Sequence, residues 1–484
     1  MLYITITIYS CLKMRNNTSK QNTPNIPNKM PQFFKIICLF HLFLVPLQPI
    51  SKLSYMEYYN RVSDSQLQLL LEAMGAVLIE GPKWCGKTTT AEQYAKSVIK
   101  LQDPDMRDNY AALAANRPSL LLQGDTPRLI DEWQDFPVIW DAVRTMVDSR
   151  HAVGQFILTG SNSIKRKNIH HSGTGRIARM KMQPMSLWES HESNGSVSLK
   201  QLFDNPRMEL EAVSQLTIEQ LVYAACRGGW PAAVMTANKK VALATAHQYV
   251  QSVCDTDIST IDDIQRNPKL TKQILRSYAR NISTLAKTTG MLQDVIASDK
   301  VECSRTTYDE YVNALERLFV INDIDAWCPA IRSKTTIRSG VKRAFCDPSI
   351  AVALLGLTPE SLLMQLKTFG FIFEQLCIRD LKAYTTGLYS EVAYYNDRYG
   401  LEADIVLHLD DGRYALIECK LGSKEIEDGA AHLLKLQELI REHNRNEQQM
   451  PIREPDLLIV LTGGVYGYRR NDGVYIIPVG CLRD

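Results

Sequence analysis

The sequence predicts an α/β protein with a parallel sheet near its amino end, a helical middle and a second sheet near its carboxyl end. A glycine-rich turn at Gly81–Thr88 stands between a buried-strand pattern and a helical pattern. Farther along, three strand patterns over residues 392–421 are flanked by helical patterns. The chain has 484 residues. That length is too great for one ordinary core and indicates about two to four domains.

The composition is that of an ordinary globular protein. Hydrophobic residues make up 45% of the chain, charged residues make up 22%, and the net charge is +2. No global excess of charge indicates a nucleic-acid or anionic-membrane partner, so any basic groove must be local. The 11 cysteines stand singly, without a C-x-x-C pair or a zinc-ligand spacing. This pattern favours free thiols in a reducing cytosol, and we expect a cytoplasmic protein.

Residues 1–55 differ in character from the rest of the chain. Residues 33–50 form an apolar run that is broken by Lys35, His41 and Pro46. The run is short for a membrane span and is typical of the apolar part of a signal peptide. One interpretation is a signal or an anchor, and the other is translation that begins at Met56. We favour the second, leave residues 1–55 out of the fold prediction and expect no membrane partner.

The turn GPKWCGKT at Gly81–Thr88 satisfies the phosphate-loop pattern G-x-x-x-x-G-K-[ST]. Glycines let backbone N–H groups point at phosphates, Lys87 reaches the β and γ oxygens, and the Thr88 hydroxyl coordinates Mg²⁺. ATP and Mg²⁺ are therefore the expected ligands, and the alternative is a chance match in a turn. The residues predicted to contact ATP in this loop are Gly81, Pro82, Lys83, Trp84, Cys85, Gly86, Lys87, Thr88 and Thr89.

The segments on both sides of the loop support this prediction. The apolar stretch AVLIE before it predicts a buried strand. After it, apolar residues recur at helical spacing and predict a helix that continues to Ile99. The residues that carry this spacing are Ala91, Tyr94, Ala95, Val98 and Ile99.

A second acidic strand end follows about fifty residues later. The stretch PRLIDEWQD places Asp131 and Glu132 after a short apolar run. We expect Asp131 to be the carboxylate on the metal side and Glu132 to polarise the attacking water. Together with Lys87, Glu132 is a predicted catalytic residue. The alternative is an ordinary solvated strand end.

The stretch GQFILTGSNS predicts another buried strand with a polar exit at Ser161 and Asn162. Ligands of parallel sheets bind at the carboxyl ends of the strands. Asn162 is thus a candidate sensor of the γ-phosphate. An ordinary β-to-α turn is the alternative.

Four stretches together resemble a prokaryotic AAA-type (AAA+) ATPase family: GPKWCGKTTT, LIDEWQ, FILTGSNS and SGTGRIARMKMQPMSLWES. The resemblance covers nearly all of residues 56–484. It implies a P-loop ATPase domain over residues 56–200 and a further domain at the carboxyl end. It also implies that Arg176 or Arg179 contacts phosphate, in its own subunit or in a neighbouring one, which would need self-association. The alternative for both is a surface arginine.

Residues 201–345 are predicted to be mainly helical and to contain a winged helix-turn-helix. Ser304 is the expected N-cap of the second helix. If that helix entered a DNA groove, Arg305 and Thr306 at its start would be the first residues to contact the DNA. The alternatives are an AAA lid or a packing module, and the apolar stripe on this helix favours a core position. The stripe consists of Tyr308, Tyr311, Val312, Leu315 and Phe319.

One further stretch in this region, RGGWP at Arg227–Pro231, resembles a loop of the same ATPase family. The sequence assigns it no mechanism.

Residues 346–484 show the order helix, three strands, helix, strand. This order resembles the core of restriction-endonuclease-like nucleases, whose signature is an Asp on one strand and Glu-x-Lys on the next. The resemblance implies the site residues Glu374, Asp404, Glu418 and Lys420. The alternative to a nuclease-like site is that these charged residues lie at the edge of a solvated sheet face without a catalytic role.

The register of two strands tests this assignment. If Asp410-Asp411-Gly412 is a three-residue hairpin loop, counting back places Asp404 opposite Glu418. Both carboxylates would then share a face and could hold a divalent metal, with Lys420 stabilising charge beside them. A two-residue loop would instead turn Asp404 toward Cys419.

The sequence thus predicts a magnesium-dependent AAA-type ATPase that acts on DNA through a nuclease-like carboxyl-terminal domain. Two alternatives remain. One is a nucleotide-switched module whose carboxyl-terminal domain binds a protein partner. The other is a DNA-binding regulator without nuclease activity.

Overall fold

The computed structural model describes residues 58–484 except 162–171, 263, 300–301, 328–339, 389, 397–400 and 447–450. The described residues from Tyr59 to Asp484 form one compact unit. The doubtful extension over residues 1–55, with its apolar run, lies outside the described residues.

The amino-terminal domain is a five-stranded parallel sheet with helices on both faces. Its strands are β1 (Ala76–Glu80), β2 (Ser97–Lys100), β3 (Arg128–Asp131), β4 (Phe156–Gly160) and β5 (Ile177–Lys181). Its helices are α1 (Ser63–Ala73), α2 (Lys87–Tyr94), α3 (Arg107–Asn116) and α4 (Val138–Arg150). The strand order is β2-β3-β4-β1-β5, and every pair is parallel. The predicted parallel sheet is confirmed.

Alternate residues of β1 enter two different cores. Leu78 lies in a cluster with Trp140 of α4. Val77 and Ile79 lie in a second cluster with Leu67 of α1. Because successive side chains of a strand point to opposite faces, this alternation shows that the sheet is covered on both sides.

The strand order brings three chain segments to one edge. β4 lies between β1 and β3, with Glu80 paired to Gly160 and Ile130 paired to Leu158. The strands are parallel, so the loop after β1 and the acidic end of β3 flank the end of β4. This arrangement brings together the residues of the predicted ATP site.

One local prediction is wrong. The helix after the loop ends at Tyr94, and Val98 and Ile99 belong to β2. Apolar spacing over a few residues fits a helix and a strand alike, and the β-branched pair favours the strand. Pairing of Val98 with Leu129 and of Ile99 with Ile130 extends the sheet.

The middle of the chain is mainly helical, as predicted. Its elements are β6 (Val197–Ser198), α5 (Leu199–Asp204), β7 (Glu211–Val213), α6 (Ile218–Arg227), α7 (Pro231–Val234), α8 (Lys239–Ser252), α9 (Ile258–Thr260), α10 (Pro268–Arg280), α11 (Thr288–Asp299) and α12 (Arg305–Arg317). A π-helical turn, Val253–Asp257, joins α8 to α9. After α12, antiparallel bridges join Ile321 to Phe345 and Ile324 to Lys342.

The predicted features of α12 can be placed. Ser304 caps it, since the Ser304 hydroxyl accepts a hydrogen bond from Thr307 N at 3.1 Å. Tyr308 and Leu315 are fully buried, so the apolar stripe packs in the core. Arg305 is exposed and forms an ion pair with Asp309. The two helices followed by paired segments match the expected order, while the winged-helix assignment itself stays a prediction.

The carboxyl-terminal part contains a seven-stranded mixed sheet in the order β7-β12-β13-β11-β10-β9-β8. Its elements, in chain order, are α13 (Pro348–Leu355), α14 (Pro359–Met364), α15 (Leu366–Tyr384), β8 (Glu391–Asn396), β9 (Glu402–His408), β10 (Tyr414–Lys420), α16 (Ile426–Asn446), β11 (Leu457–Thr462), β12 (Tyr466–Arg469), β13 (Tyr475–Pro478) and β14 (Leu482–Arg483). The predicted order of a helix, three strands, a helix and a strand is present from α15 to β11. The restriction-endonuclease-like assignment stays a prediction.

Both ends of the middle region are connected to neighbouring parts of the chain, and the predicted domain limits stay a prediction. β7 pairs with β12, and β6 pairs with β14, so residues 197–213 join the carboxyl-terminal strands. α13 packs against α8 and α10 rather than on the large sheet. The strands β12, β13 and β14 were not predicted, because each is four residues or shorter and gives too little periodicity to detect.

Of the helices in the described part of the chain, none combines the length and the apolar character that a membrane crossing requires.

Candidate functional site

The phosphate loop connects β1 to α2 at the carboxyl edge of the parallel sheet. Gly86, directly before α2, has φ 102°, a left-handed conformation that favours glycine. The buried Lys87 ammonium donates to the carbonyl oxygens of Gly81 at 3.0 Å and Pro82 at 2.8 Å. The ammonium is therefore held within the curve of the loop, where the sequence predicts the phosphates.

Asp131 joins the loop to the neighbouring strands. Its Oδ1 accepts hydrogen bonds from the hydroxyls of Thr88 and Thr159, both at 2.6 Å. Thr88 lies in the first turn of α2 and Thr159 lies on β4, so one carboxylate oxygen connects three elements. A threonine hydroxyl and a carboxylate are hard oxygen donors of the kind that Mg²⁺ prefers, so these residues fit the expected metal.

Glu132 is held in an unusual conformation beside this group. Its φ is 56° and its ψ is 51°, in the left-handed region that few residues other than glycine adopt. The Glu132 N–H donates to Thr159 Oγ1 at 3.2 Å. Its carboxylate accepts hydrogen bonds from Ser161 Oγ at 3.1 Å and from the Gln134 amide. Glu132 is thus oriented at both its backbone and its side chain.

The other predicted residues of this domain lie in different places. Asn162 lies outside the described residues. Arg176 precedes β5 at the amino edge of the sheet, opposite the phosphate loop, and pairs with Asp148 at 2.8 Å. Arg179 is half-exposed, bonds Glu80 Oε1 at 3.1 Å and lies over the Trp140 ring. The fold does not bring Arg176 to the loop of its own domain, and a role for either arginine stays a prediction.

Two residues at the unspecified (x) positions of the phosphate-loop pattern, Lys83 and Trp84, contact the helical region. Lys83 forms an ion pair with Asp257 of the π-helical turn at 2.7 Å. The Trp84 ring meets the edge of Tyr249, which stacks on Trp230. The sequence could not indicate these partners, because they lie about 150 residues or more from the loop in the chain.

Arg61 is a second residue that the sequence analysis missed. Its guanidinium donates to Cys85 O and to Gln183 O, both at 2.8 Å, and pairs with the buried Glu189 at 3.0 Å. Arg61 therefore connects the backbone of the phosphate loop at Cys85 to the segment that follows β5. No local motif marks it.

The second candidate group lies at β9 and β10. Leu409 and Arg413 flank a three-residue loop in which Gly412 has φ 84°. Ile417 pairs with Ile405 in the antiparallel ladder, and the next position places Glu418 opposite Asp404. The register is therefore the predicted one.

Four predicted side chains converge there. Lys420 Nζ lies 2.6 Å from Glu418 Oε2 and 3.5 Å from Asp404 Oδ2. Glu374 of α15 is linked to them by Lys342, whose Nζ lies 2.7 Å from Glu374 Oε1 and donates to Asp404 O at 2.9 Å. We call Glu374, Asp404 and Glu418 the carboxylate cluster. Lys342 was not predicted, since it lies outside the signature.

Burial shifts the protonation of this group. It raises the pKa of Glu374 to about 8. It raises the pKa of Glu418 to about 7, and the charge of Asp404 acts in the same direction. Burial alone would lower the pKa of Lys342, but the attraction of Glu374 and Asp404 outweighs it and raises the pKa.

The carboxylate cluster has the oxygen donors that a divalent metal requires, and Glu418 Oε1 is buried without a hydrogen-bond partner among the described residues. Two ammonium groups nevertheless lie against the carboxylates. Within the described part of the chain, no three His, Cys, Asp or Glu side chains are arranged to share a metal ion.

Comparison with known families decides the class of the first site. Residues 74–191 match the family model of the AAA domain. The chain carries a P-loop domain of the AAA type. This match covers β1 to β5, with the phosphate loop and Asp131 inside it.

The rest of the chain matches two families without an assigned function. Residues 218–361 match Domain of unknown function (DUF8612), and residues 369–482 match Domain of unknown function (DUF4143). The limit between them lies after α13 and agrees with the packing of that helix on the helical region. It lies later than the predicted limit at residue 346.

Similar proteins include uncharacterized proteins of Mycobacterium tuberculosis and Mycobacterium bovis. Each is 22% identical over 373 residues, which are 76% of this chain and 75% of the relative. Among solved structures, the Walker-type ATPase of Pyrococcus abyssi is similar at 13% identity with a TM-score of 0.39. The similar region covers 62% of this chain and 96% of that one.

The RGGWP loop packs directly against the AAA domain. The backbones of Met185 and Gly229 are joined by a hydrogen bond of 2.7 Å. A Cβ on Gly229 would lie 2.1 Å from Met185 O, so only glycine fits. A Cβ on Gly86 would lie 3.4 Å from Pro231, which places this loop beside the phosphate loop.

Proposed function

We propose that the protein hydrolyses ATP at the site formed by the phosphate loop, Asp131 and Glu132. The observation that carries the proposal is the bonding of Asp131 to Thr88 of the loop and to Thr159 of β4. These bonds connect Thr88 and Asp131, the two predicted metal ligands, and the Glu132 N–H bonds the same Thr159 hydroxyl, which supports the proposal. The match of residues 74–191 to the AAA domain supports the same function.

Each residue has a distinct role in this proposal. The backbone N–H groups of the loop and the Lys87 ammonium bind the β- and γ-phosphates. Thr88 and Asp131 hold Mg²⁺, which neutralises phosphate charge when it is bound. Glu132 orients a water molecule and accepts its proton. Ser161 and Gln134 hold the Glu132 carboxylate in place.

DNA is the second candidate ligand, and the convergence of Lys420 with the carboxylate cluster favours it. The proposal is that the carboxyl-terminal domain acts on DNA, with Lys420 stabilising the charge of a phosphate. A nucleotide-dependent protein partner in place of DNA is the alternative outcome.

Binding of labelled ATP and release of phosphate test the first proposal. We expect Lys87→Ala to lose ATP binding, and Glu132→Gln to bind ATP while its turnover falls by at least about 100-fold. Lys96→Ala is the matched control, since this exposed lysine lies just after α2. If Lys87→Ala binds ATP as tightly as the unaltered protein, the proposed site is wrong.

Incubation with plasmid or branched DNA, in the presence of Mg²⁺, tests the second proposal. We expect cleavage or a mobility shift that Lys420→Ala removes. If neither appears, and Glu132→Gln loaded with ATP retains a protein instead, the carboxyl-terminal domain serves a protein partner.

A further inference from the structure

A polar cavity of about 360 Å³ lies along α12 in the helical region. Its other walls are formed by Tyr278 of α10, Thr288 of α11 and Arg343 of the paired segments that follow α12. The volume is within the range of about 300–1,000 Å³ that is typical of small-molecule pockets. The lining shares no residue with the phosphate loop or the carboxylate cluster, so the cavity is separate from both of those sites.

The lining follows one face of α12 over most of the length of the helix. It begins at Arg305 and ends at Glu316, which corresponds to roughly 16 Å along the helix axis. Between them lie Asp309 and Asn313. Residues three or four positions apart are neighbours on a helix, so these side chains form one row. An extended ligand fits such a row better than a compact one.

Two arginines line the cavity, and each is paired with a carboxylate. Arg343 Nη1 lies 2.7 Å from Asp323 Oδ2, and Arg343 Nη2 donates to Thr288 Oγ1 at 3.0 Å. Arg305 Nε lies 2.7 Å from Asp309 Oδ2. An anionic ligand would have to compete with these partners for either guanidinium group.

Glu316 is the carboxylate of the lining that has no ion-pair or hydrogen-bond partner among the described residues. The cavity wall removes water from Glu316 and raises the pKa of its carboxyl. The charges of Asp323 and Asp325 act in the same direction, and Arg343 opposes them. Asp309, Glu316 and the adjoining Asp323 give the cavity three carboxylates against two guanidinium groups. The excess charge is negative, so a cationic ligand is favoured.

The Tyr308 hydroxyl is a second group of the cavity that lacks a partner. Tyr308 lines the cavity and is fully buried, and no described residue forms a hydrogen bond with its hydroxyl oxygen. A buried hydroxyl is costly to leave without a hydrogen bond, and its oxygen accepts one from an ammonium group. Tyr308 and Glu316 are separated by roughly 12 Å along the axis of α12. One extended molecule with two nitrogen atoms can reach both side chains.

We propose that this cavity binds a linear aliphatic polyamine. Glu316 is the counter-ion of one ammonium group, and the Tyr308 hydroxyl accepts a hydrogen bond from a second nitrogen of the same molecule. The methylene groups between the nitrogens lie along Val312, which lines the cavity between these two residues. The inference concerns the helical region and stands whether or not ATP is hydrolysed or DNA is bound.

Isothermal titration calorimetry of the nucleotide-free protein with spermidine tests the proposal, at about 150 mM salt to screen exposed charges. We expect a Kd below about 1 mM for spermidine, and binding at least about tenfold weaker for the uncharged diol of the same chain length. ATP is omitted because its phosphates would themselves bind the amine.

Glu316→Gln keeps the size of the side chain and removes its charge. We expect this change to weaken spermidine binding by at least about tenfold. Glu310→Gln is the matched control, since Glu310 is an exposed residue of the same helix and does not line the cavity. We expect Glu310→Gln to bind spermidine as the unaltered protein does.

Tyr308→Phe separates contact with the ligand from a structural role. We expect it to weaken spermidine binding by about threefold or more. The melting temperature of the ligand-free protein should not fall, because the hydroxyl has no hydrogen bond to lose. Asn313→Lys is a second variant that keeps both groups. It supplies an ammonium three residues before Glu316 and should exclude spermidine from the cavity.

Melting temperatures show that each variant is folded before it is titrated. Three results would overturn the proposal: spermidine does not bind, Glu316→Gln binds it as tightly as the unaltered protein, or Glu310→Gln weakens binding equally. Binding of inorganic phosphate in place of spermidine would also overturn it, since the cavity would then be an anion site of Arg305 and Arg343.

Discussion

Lys83 of the phosphate loop and Asp257 of the π-helical turn form an ion pair of 2.7 Å. The pair connects the AAA domain to the helical region at the edge of the predicted ATP site. The neighbouring Trp84 and Tyr249 rings meet in an edge contact with centroids 5.5 Å apart. The conformation of the loop therefore depends on contacts that the AAA domain does not itself supply.

We expect Asp257→Asn to raise the KM for ATP by about two- to fivefold, because Lys83 is partly exposed and such pairs contribute less than about 1 kcal/mol. Without the ion pair between Lys83 and Asp257, the phosphate loop is less ordered before ATP binds, and part of the binding free energy is then used to order it. Asp255→Asn is the control, since this exposed neighbour in the same turn forms no ion pair among those described. Steady-state release of phosphate measures both. Equal KM values for the two variants would show that the pair does not order the loop.

Thr159→Val removes the hydroxyl that joins Asp131 to the backbone of Glu132. We expect the kcat for ATP to fall by at least about tenfold with a smaller change in KM, because an unpaired Glu132 N–H costs about 1–3 kcal/mol. Glu132 then loses support for its left-handed conformation. Initial rates over a range of ATP concentrations separate the two constants.

Ser161→Ala provides the comparison for Thr159→Val. It removes one hydrogen bond to the Glu132 carboxylate and leaves the backbone bond in place. We expect a smaller loss of kcat than for Thr159→Val. The reverse order would mean that Ser161, not Thr159, determines the position of Glu132.

The pH dependence of stability reports on Lys382. Burial lowers the pKa of Lys382 to about 8, below its ordinary value of 10.5. Between these values the unfolded chain binds the proton and the folded chain does not, so the lysine's contribution to stability improves as the pH rises. Below pH 8 both states are charged, and the cost of burying the charge is complete.

Lys382→Met should therefore be more stable relative to the unaltered protein at pH 7.5 than at pH 10. The difference should narrow between pH 8 and 10.5 by no more than about 1.4 kcal/mol per pH unit. Urea unfolding at several pH values measures it, with the exposed Lys367→Met of the same helix as control. A difference that stays constant with pH would contradict the lowered pKa.

The local parts of both sites were predictable from sequence. The phosphate loop and the acidic end of β3 follow from short motifs next to buried strands. The pairing of Asp404 with Glu418 follows from counting back from a turn that Gly412 defines. In each case the residues that set the geometry lie within about twenty positions of one another, so a pattern can express them.

The contacts between distant segments were not predictable. Lys342 reaches the carboxylate cluster from the helical region, and Asp257 reaches the phosphate loop across more than 170 residues. Such pairs depend on how whole elements pack, and a single sequence carries no pattern for them. The β2 error has a different cause, since Val98 and Ile99 fit helical and strand spacing equally.

Gly229→Ala tests the contact between the RGGWP loop and the AAA domain. The added Cβ would lie 2.1 Å from Met185 O, a backbone atom that cannot move without shifting the segment after β5. We expect a loss of about 3 kcal/mol or more in the free energy of unfolding. Gly290→Ala is the matched control, because a Cβ there meets open space and alanine favours the helix α11.

Urea unfolding of the two alanine variants measures this effect, and the KM for ATP gives a second reading. We expect Gly229→Ala to raise the KM as well, since Pro231 of the same loop lies beside Gly86. Gly290→Ala should keep the KM and gain up to about 1 kcal/mol of stability. Equal unfolding midpoints for the two variants would mean that the loop can move away from Met185. The close contact would then not be what requires a glycine at this position.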